Sequence, residues 1–121
     1  MKFTNIFATA RQILENDKEE LFTNFQKNNR PSGFGYIQKH CEEYMFEAIK
    51  DDVLAASETS KLIIKSVSAE VIDYDDSNGT KVASVRYIAV IVVDGEAEDI
   101  DEAWHFKYDG WNWKLAGIEQ M

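Results

Sequence analysis

The sequence predicts an α+β fold in which helices pack on one face of a bent, four-stranded antiparallel sheet. Apolar residues recur at helical spacing as far as about residue 55, and from about residue 61 they alternate with polar residues at a period of two. Asp- and Gly-containing turn signals separate the alternating segments, as expected for successive hairpins. We therefore expect a single domain over residues 1–121, with helices in about 3–55 and the sheet in about 61–120.

The first half of the chain predicts three helices. Asp17, with Glu20 three residues later, resembles a capping box and would separate a first helix from a second. Residues 30–33, which include the only proline, predict a stop and a turn. The third helix is expected to leave the core at Asp52, where its apolar stripe is interrupted. The apolar positions of these helices are Phe3, Ile6, Phe7, Ala10, Ile13 and Leu14, then Leu21, Phe22 and Phe25, then Ile37, Cys41, Tyr44, Met45, Ala48, Ile49 and Val53.

Two strands follow, over about 62–74 and 80–93, with a loop at 75–79 between them. In the first strand the apolar positions change face between Val71 and Ile72, which predicts a bulge or bend. Asp94-Gly95 is expected to begin a loop that the acidic residues 96–99 extend. The expected inner positions are Ile63, Val67, Ala69 and Val71 in the first strand, and Ala83, Val85, Tyr87, Ala89 and Ile91 in the second.

Aromatic and polar residues alternate on both sides of Asp109-Gly110, which predicts the last hairpin. An Asp-Gly pair favours the positive-φ positions of a two-residue turn. A turn at this point places His105 on the outer, wet face, because directly opposed residues share a side of the sheet. On the inner face it pairs Tyr108 with Trp111, Phe106 with Trp113 and Trp104 with Leu115.

The inner face also carries the candidate ligand site. Glu102 shares the face of Trp104, so it lies either inside an apolar cone, where burial raises a carboxylate pKa and suits acid–base chemistry, or at the rim in a structural ion pair, for example with Arg11. The aromatic residues around it either line a cavity or fill the core. The candidate pocket residues are Tyr87, Glu102, Trp104, Phe106 and Trp113.

No catalytic residues, metal or cofactor are predicted. His105 faces outward, and the adjacent His40 and Cys41 point in different directions on a helix. Two histidines and one cysteine do not provide the three or four ligands of a metal site. The chain also has no glycine-rich phosphate loop and no serine nucleophile motif.

The charge balance limits the possible partners. There are 22 acidic and 13 basic side chains, a net charge of −9, which opposes binding to nucleic acid and to anionic membrane surfaces. The lone Cys41 fits a reducing compartment. The longest apolar run, 87–93, is far shorter than the ~20 residues that span a bilayer. We expect a cytoplasmic chain without a transmembrane segment.

Three strand segments carry a family motif. They are Ala-Ser-Val-Arg-Tyr at 83–87, Asp-Glu-Ala-Trp-His-Phe at 101–106 and Trp-Lys-Leu-Ala-Gly-Ile-Glu-Gln at 113–120. Over about residues 60–120 the chain resembles the Tim-forty-four-like domain, which is the C-terminal domain of the mitochondrial import-motor anchor subunit and has bacterial relatives. The resemblance implies the cone-shaped, nuclear-transport-factor-two-like or cystatin-like fold of that superfamily.

The resemblance implies a non-enzymatic docking module that binds a protein partner or an acidic lipid, chiefly cardiolipin, and is peripheral to the inner membrane. Two alternatives stay open. One is a small-molecule-binding or enzymatic cone-fold domain that uses Glu102, by analogy of fold. The other is an acidic immunity-type inhibitor that masks a basic active site. The polar outer face of the sheet could also support a homodimer.

Overall fold

The computed structural model describes residues 8–121 and contains helices followed by one antiparallel sheet. The four strands are neighbours in the order in which they occur in the chain. The predicted α+β arrangement is therefore confirmed. The elements are α1 (Ala10–Asn28), a short 3-10 helix (Pro31–Gly33), α2 (Phe34–Lys39), α3 (Glu43–Ala55), β1 (Leu62–Asp75), β2 (Val82–Val93), β3 (Glu96–Tyr108) and β4 (Trp113–Gln120).

Helix α1 is continuous, and its N-terminus is capped at Thr9. The Thr9 hydroxyl accepts the Gln12 N–H at 3.2 Å, while the Gln12 side chain accepts the Thr9 N–H at 2.8 Å. The predicted helix boundary at Asp17 is wrong, because no Gly or Pro interrupts residues 10–28 and the true capping box lies earlier. The predicted apolar positions Phe3, Ile6 and Phe7 lie outside the described residues.

The predicted long third helix is two helices, because its middle pairs with the sheet. The Leu115 N–H donates to the His40 carbonyl, and the Glu42 N–H donates to the Leu115 carbonyl, both at 2.8 Å. These bonds add residues 40–42 to the free edge of β4. The predicted departure from the core at Asp52 is also wrong, because the next residue, Val53, is buried.

Strand β1 contains two register shifts against β2, one between Ile64 and Ser66 and one between Val71 and Asp73. The second shift is the predicted bulge. The first was not predicted, and it reverses the inward positions that precede it, because one inserted residue changes which face is buried. Ile63 consequently lies on the outer face, 58% exposed, while Leu62 and Ile64 pack on the core.

Asp94-Gly95 closes β2 and β3 as a two-residue turn. Both residues have positive φ, +50° and +86°, and Val93 pairs directly with Glu96. This geometry is the type I′ turn that suits the twist of a hairpin. The acidic residues 96–99 therefore belong to β3, and the prediction that they extend a loop is wrong.

Asp109-Gly110 begins a four-residue loop instead of a two-residue turn. The Asp109 carboxylate accepts the N–H groups of Trp111 and Asn112, at 2.8 and 2.7 Å, and only Gly110 has positive φ. The predicted pairs are therefore wrong by two residues. A further shift after His105 widens the difference toward the end of β4. The observed pairs are Tyr108 with Trp113, Phe106 with Leu115 and Trp104 with Ile118.

Two aromatic side chains of the sheet fix α1 on its inner face. The Tyr87 hydroxyl donates to the Lys18 carbonyl at 2.6 Å, and the Trp113 indole donates to the Ala10 carbonyl at 2.8 Å. Both residues are almost fully buried. Each thus places its ring in the core while its polar atom is satisfied by the helix backbone.

Candidate functional site

The predicted aromatic residues do share the inner face, and they form a packed core. The Trp104 ring lies 5.0 Å from the Tyr87 ring and 6.4 Å from the Phe106 ring, measured between centroids. Phe22 of α1 packs on this face of the sheet, 5.1 Å from the Tyr87 ring and 5.3 Å from the Trp104 ring. Trp113 packs farther along the sheet, against Tyr108. The helix thus fills the space that an open cone would leave for a ligand.

Glu102 pairs with Tyr87 in the ladder, at a half-buried position on the same face. Its Oε1 accepts the Trp104 indole N–H at 3.0 Å, and its Oε2 accepts the Gln120 side-chain amide at 2.5 Å. Arg11, the ion-pair partner suggested by the sequence, instead lies over the Tyr74 ring, 5.2 Å from the centroid. Glu102 therefore orients Trp104 and joins β3 to the end of β4.

A small apolar cavity of about 180 Å³ lies between the helices and the C-terminal strands. Trp104 is the one predicted pocket residue among its lining residues, and Glu102 is not among them. The volume is below the ~300 Å³ at which cavities usually hold drug-sized ligands. Its walls are Phe25, Ile37, Ile49, Val53, Trp104, Leu115 and Ile118, with Gln26, Asn29 and Asp52 also lining it.

A second cavity, of about 240 Å³, opens between α1, α2 and the β3–β4 loop. We call it the Trp111 cleft. The sequence analysis placed Trp111 in the core. It interpreted Asp17 and Glu20 as the start of a helix. Trp111 is in fact 84% exposed. The residues that define the cleft are Asp17, Glu20, Tyr36, His40, Trp111 and Asn112.

The cleft combines aromatic surfaces with negative charge. The His40 ring stacks on the Tyr36 ring, with centroids 3.9 Å apart and planes inclined by 21°. His40 Nδ1 lies 2.8 Å from the Tyr36 carbonyl oxygen, so this contact fixes the orientation of the imidazole. Partial burial, followed by the charge of Glu20, raises the pKa of Asp17. This arrangement suits a cationic group better than an anionic one.

His105 lies on the outer face of the sheet, as predicted, within a chain of hydrogen bonds. Its Nδ1 is 2.7 Å from the Ser84 hydroxyl, and its Nε2 is 3.1 Å from a Glu119 carboxylate oxygen. These are the residue types of a catalytic triad. Ser84 is on an inner strand, however, so the backbone N–H groups around it serve the ladder and not an oxyanion. We interpret these two hydrogen bonds as a structural link between strands β2, β3 and β4.

Within residues 8–121, no group of three or more His, Cys, Asp or Glu side chains is placed to hold a metal ion. Across the same residues, no helix has both the length and the apolar character needed to cross a membrane. A scan against protein-family models and a search of curated proteins found no significant match to the chain.

Cys41 lies next to the cleft residue His40 but is itself buried, and burial raises its pKa to about 12. We expect the folded chain to react slowly with a thiol reagent at pH 8 and the urea-unfolded chain to react rapidly. An ordinary thiol loses its proton near pH 9. The unfolded state therefore releases a proton that the folded state keeps, and stability falls as pH rises from about 9 to about 12.

Urea titrations of the wild type and of Cys41→Ala at pH 8 and pH 10 measure this effect. The wild type is expected to lose about 1 kcal/mol more of its free energy of unfolding than the variant between the two pH values. Equal losses in the two proteins would contradict the raised pKa.

Proposed function

We propose that the chain is a non-enzymatic docking module that binds a protein partner through the Trp111 cleft. The observation that carries the proposal is the exposure of Trp111. A partner that covers this side chain would remove apolar surface from water, which contributes favourable free energy to binding. Its loop is fixed by the hydrogen bonds to Asp109, so the side chain is presented from a structured position. Tryptophan is also among the residues enriched at the centres of protein interfaces.

The strand motifs at 83–87, 101–106 and 113–120 support the same class of function through their resemblance to the Tim-forty-four-like domain. On this reading the module is cytoplasmic and peripheral to the inner membrane. A protein partner fits the chain better than an acidic lipid does, because the net charge is −9 and two carboxylates lie in the cleft. A basic protein, as in the immunity-type alternative, is one form of such a partner.

The enzymatic alternative is less well supported by the geometry around Glu102. Both of its oxygens already accept hydrogen bonds from neighbouring side chains, and it lines neither the apolar cavity nor the Trp111 cleft. A general acid or base must reach a reacting group, directly or through one water. A structural role for Glu102 explains both of the hydrogen bonds that it accepts.

The outer face of the sheet supports a second interface, to another copy of the chain. Ile63 and Ile88 are 58% and 51% exposed there, and Val90 and Val92 lie beside them on β2. An ion pair between Arg86 and Asp101, with a nitrogen–oxygen distance of 2.8 Å, lies beside these residues. An apolar centre with a charged border is the usual composition of such an interface.

Photo-crosslinking in the native cells tests the docking function. A photoreactive residue is placed at Asn112 in the cleft, at Ile88 on the outer face, or at Glu98 as the exposed control. We expect position 112 to trap one discrete protein and position 88 to trap a second copy of the chain. Position 98 should trap neither, which separates site-specific docking from collision.

The absence of a discrete protein at position 112, or the same products at positions 98 and 112, would contradict docking through the cleft. Flotation with vesicles tests the alternative that the cleft binds an acidic lipid instead of a protein. Binding that requires cardiolipin, with no crosslinked protein, would replace the protein partner with an acidic lipid. The protein reading expects no flotation with either neutral or cardiolipin-containing vesicles.

A further inference from the structure

We propose that the Trp111 cleft takes a lysine or arginine side chain from an exposed segment of the partner protein. The inference rests on the proposed docking function and adds the chemistry of the docked group. It assigns the aromatic contact to Trp111 and the charge contacts to Asp17 and Glu20.

The aromatic part of the cleft provides surfaces for a cation. The Trp111 side chain is exposed, and Tyr36 with His40 forms a stacked pair that lines the same cavity. The electron-rich faces of tryptophan and tyrosine attract an ammonium or guanidinium group, and tryptophan attracts it more strongly than tyrosine does. Each ring can also cover the methylene stem of a long basic side chain.

The carboxylates supply charge that nothing in the described part of the chain neutralises. Asp17 and Glu20 lie three residues apart on α1, one helical turn, and neither forms an ion pair with any residue of 8–121. Lys18, which lies between them in sequence, pairs instead with Glu15 at 2.9 Å. The pKa of Asp17 is raised, the direction expected when a carboxylate is desolvated beside a like charge. A bound cation would offset the repulsion between the two carboxylates.

The size and opening of the cleft favour a side chain over a free-standing metabolite. Its volume of about 240 Å³ is below that of most small-molecule sites, and it is open to solvent. The negative charge of the whole chain favours approach of a basic segment.

Titration of the full chain with a capped Arg-Gly-Arg-Gly-Arg peptide tests the proposal, with NMR detection of the tryptophan indoles. The Trp111 indole signal should shift, while that of Trp104 should stay fixed because Trp104 is buried in the core and lies outside the cleft. The capped Glu-Gly-Glu-Gly-Glu peptide should shift none of them. Raising the ionic strength from about 0.05 to 0.5 M should weaken the arginine peptide's binding.

Variants of the cleft give the expected magnitudes, and their affinities are measured by isothermal titration calorimetry because Trp111→Ala removes the indole reporter. Trp111→Ala should weaken binding about three- to thirtyfold, and Asp17→Asn with Glu20→Gln should weaken it about two- to tenfold. The matched control, Glu96→Gln with Glu98→Gln, removes the same charge from an exposed part of β3 and should leave affinity within about twofold. Circular dichroism confirms that each variant is folded.

An unchanged Trp111 signal, an equal response to the glutamate peptide, or an equal loss in the control variant would overturn the cationic occupant. A discrete crosslinked protein at position 112 together with such a result would leave the docking function standing. The absence of both the crosslink and the peptide response would contradict the two proposals together.

Discussion

Gly33→Ala is expected to destabilise the chain by about 3 kcal/mol, because a methyl group at this position has no space. An added Cβ would lie 2.5 Å from Cα and 2.6 Å from the carbonyl carbon of Asn28. Those atoms are backbone at the end of α1, so they cannot turn aside as a flexible side chain would. The substitution must therefore separate α1 from the 3-10 helix that begins at Pro31.

Gly35→Ala is the matched control, two residues farther along. It lies inside α2, and an added Cβ there would contact nothing within 4 Å. Alanine in a helix interior is favoured over glycine by about 0.5–1 kcal/mol, so this variant should equal or exceed the wild type. In thermal unfolding, the midpoint of Gly33→Ala should be about 10 °C below that of Gly35→Ala. Similar midpoints for the two variants would contradict the close backbone contact.

Trp104→Ala is expected to destabilise the chain by about 3–5 kcal/mol. The side chain is 2% exposed, and its ring contacts Phe22, Phe25 and Tyr87. Its removal leaves a void between α1 and the sheet, and it also takes away the N–H that Glu102 accepts. The free energy of unfolding in urea measures the loss.

Trp111→Ala removes the same side chain from an exposed position and serves as the control. With 84% exposure, Trp111 contributes little to the core, so the expected change in the free energy of unfolding is within about 0.5 kcal/mol. The two substitutions thus separate a structural tryptophan from a binding one. A loss above about 2 kcal/mol in Trp111→Ala would show that its ring supports the fold, contrary to its exposure.

The inner face of β2 could be predicted because alternation alone determines it. Ala83, Val85, Tyr87, Ala89 and Ile91 are all buried as expected. The turn between β3 and β4 could not, because Asp-Gly is compatible both with a two-residue turn and with the longer loop that the Asp109 carboxylate closes. That one difference moves Trp111 from the core to the surface.

The break between α2 and α3 depended on contacts between residues distant in sequence. The break at His40 follows from backbone hydrogen bonds to Leu115. The pattern of apolar residues over 37–53 does not indicate these bonds. The Trp111 cleft was missed for the same reason: it brings together α1, α2 and a loop after β3. The local signals present, an Asp17–Glu20 pair and an Asp-Gly turn, have common structural explanations, so they did not indicate a site.

The pairing of residues 40–42 with Leu115 joins an early segment of the chain to a late one. The pairing can form only after Leu115 has been synthesised, so it is a late, non-local contact of the chain. In the folded protein the amides of Glu42 and Leu115 are bonded to each other's segments. Solvent exchange of either amide by local opening must therefore separate residues 40–42 from the final strand.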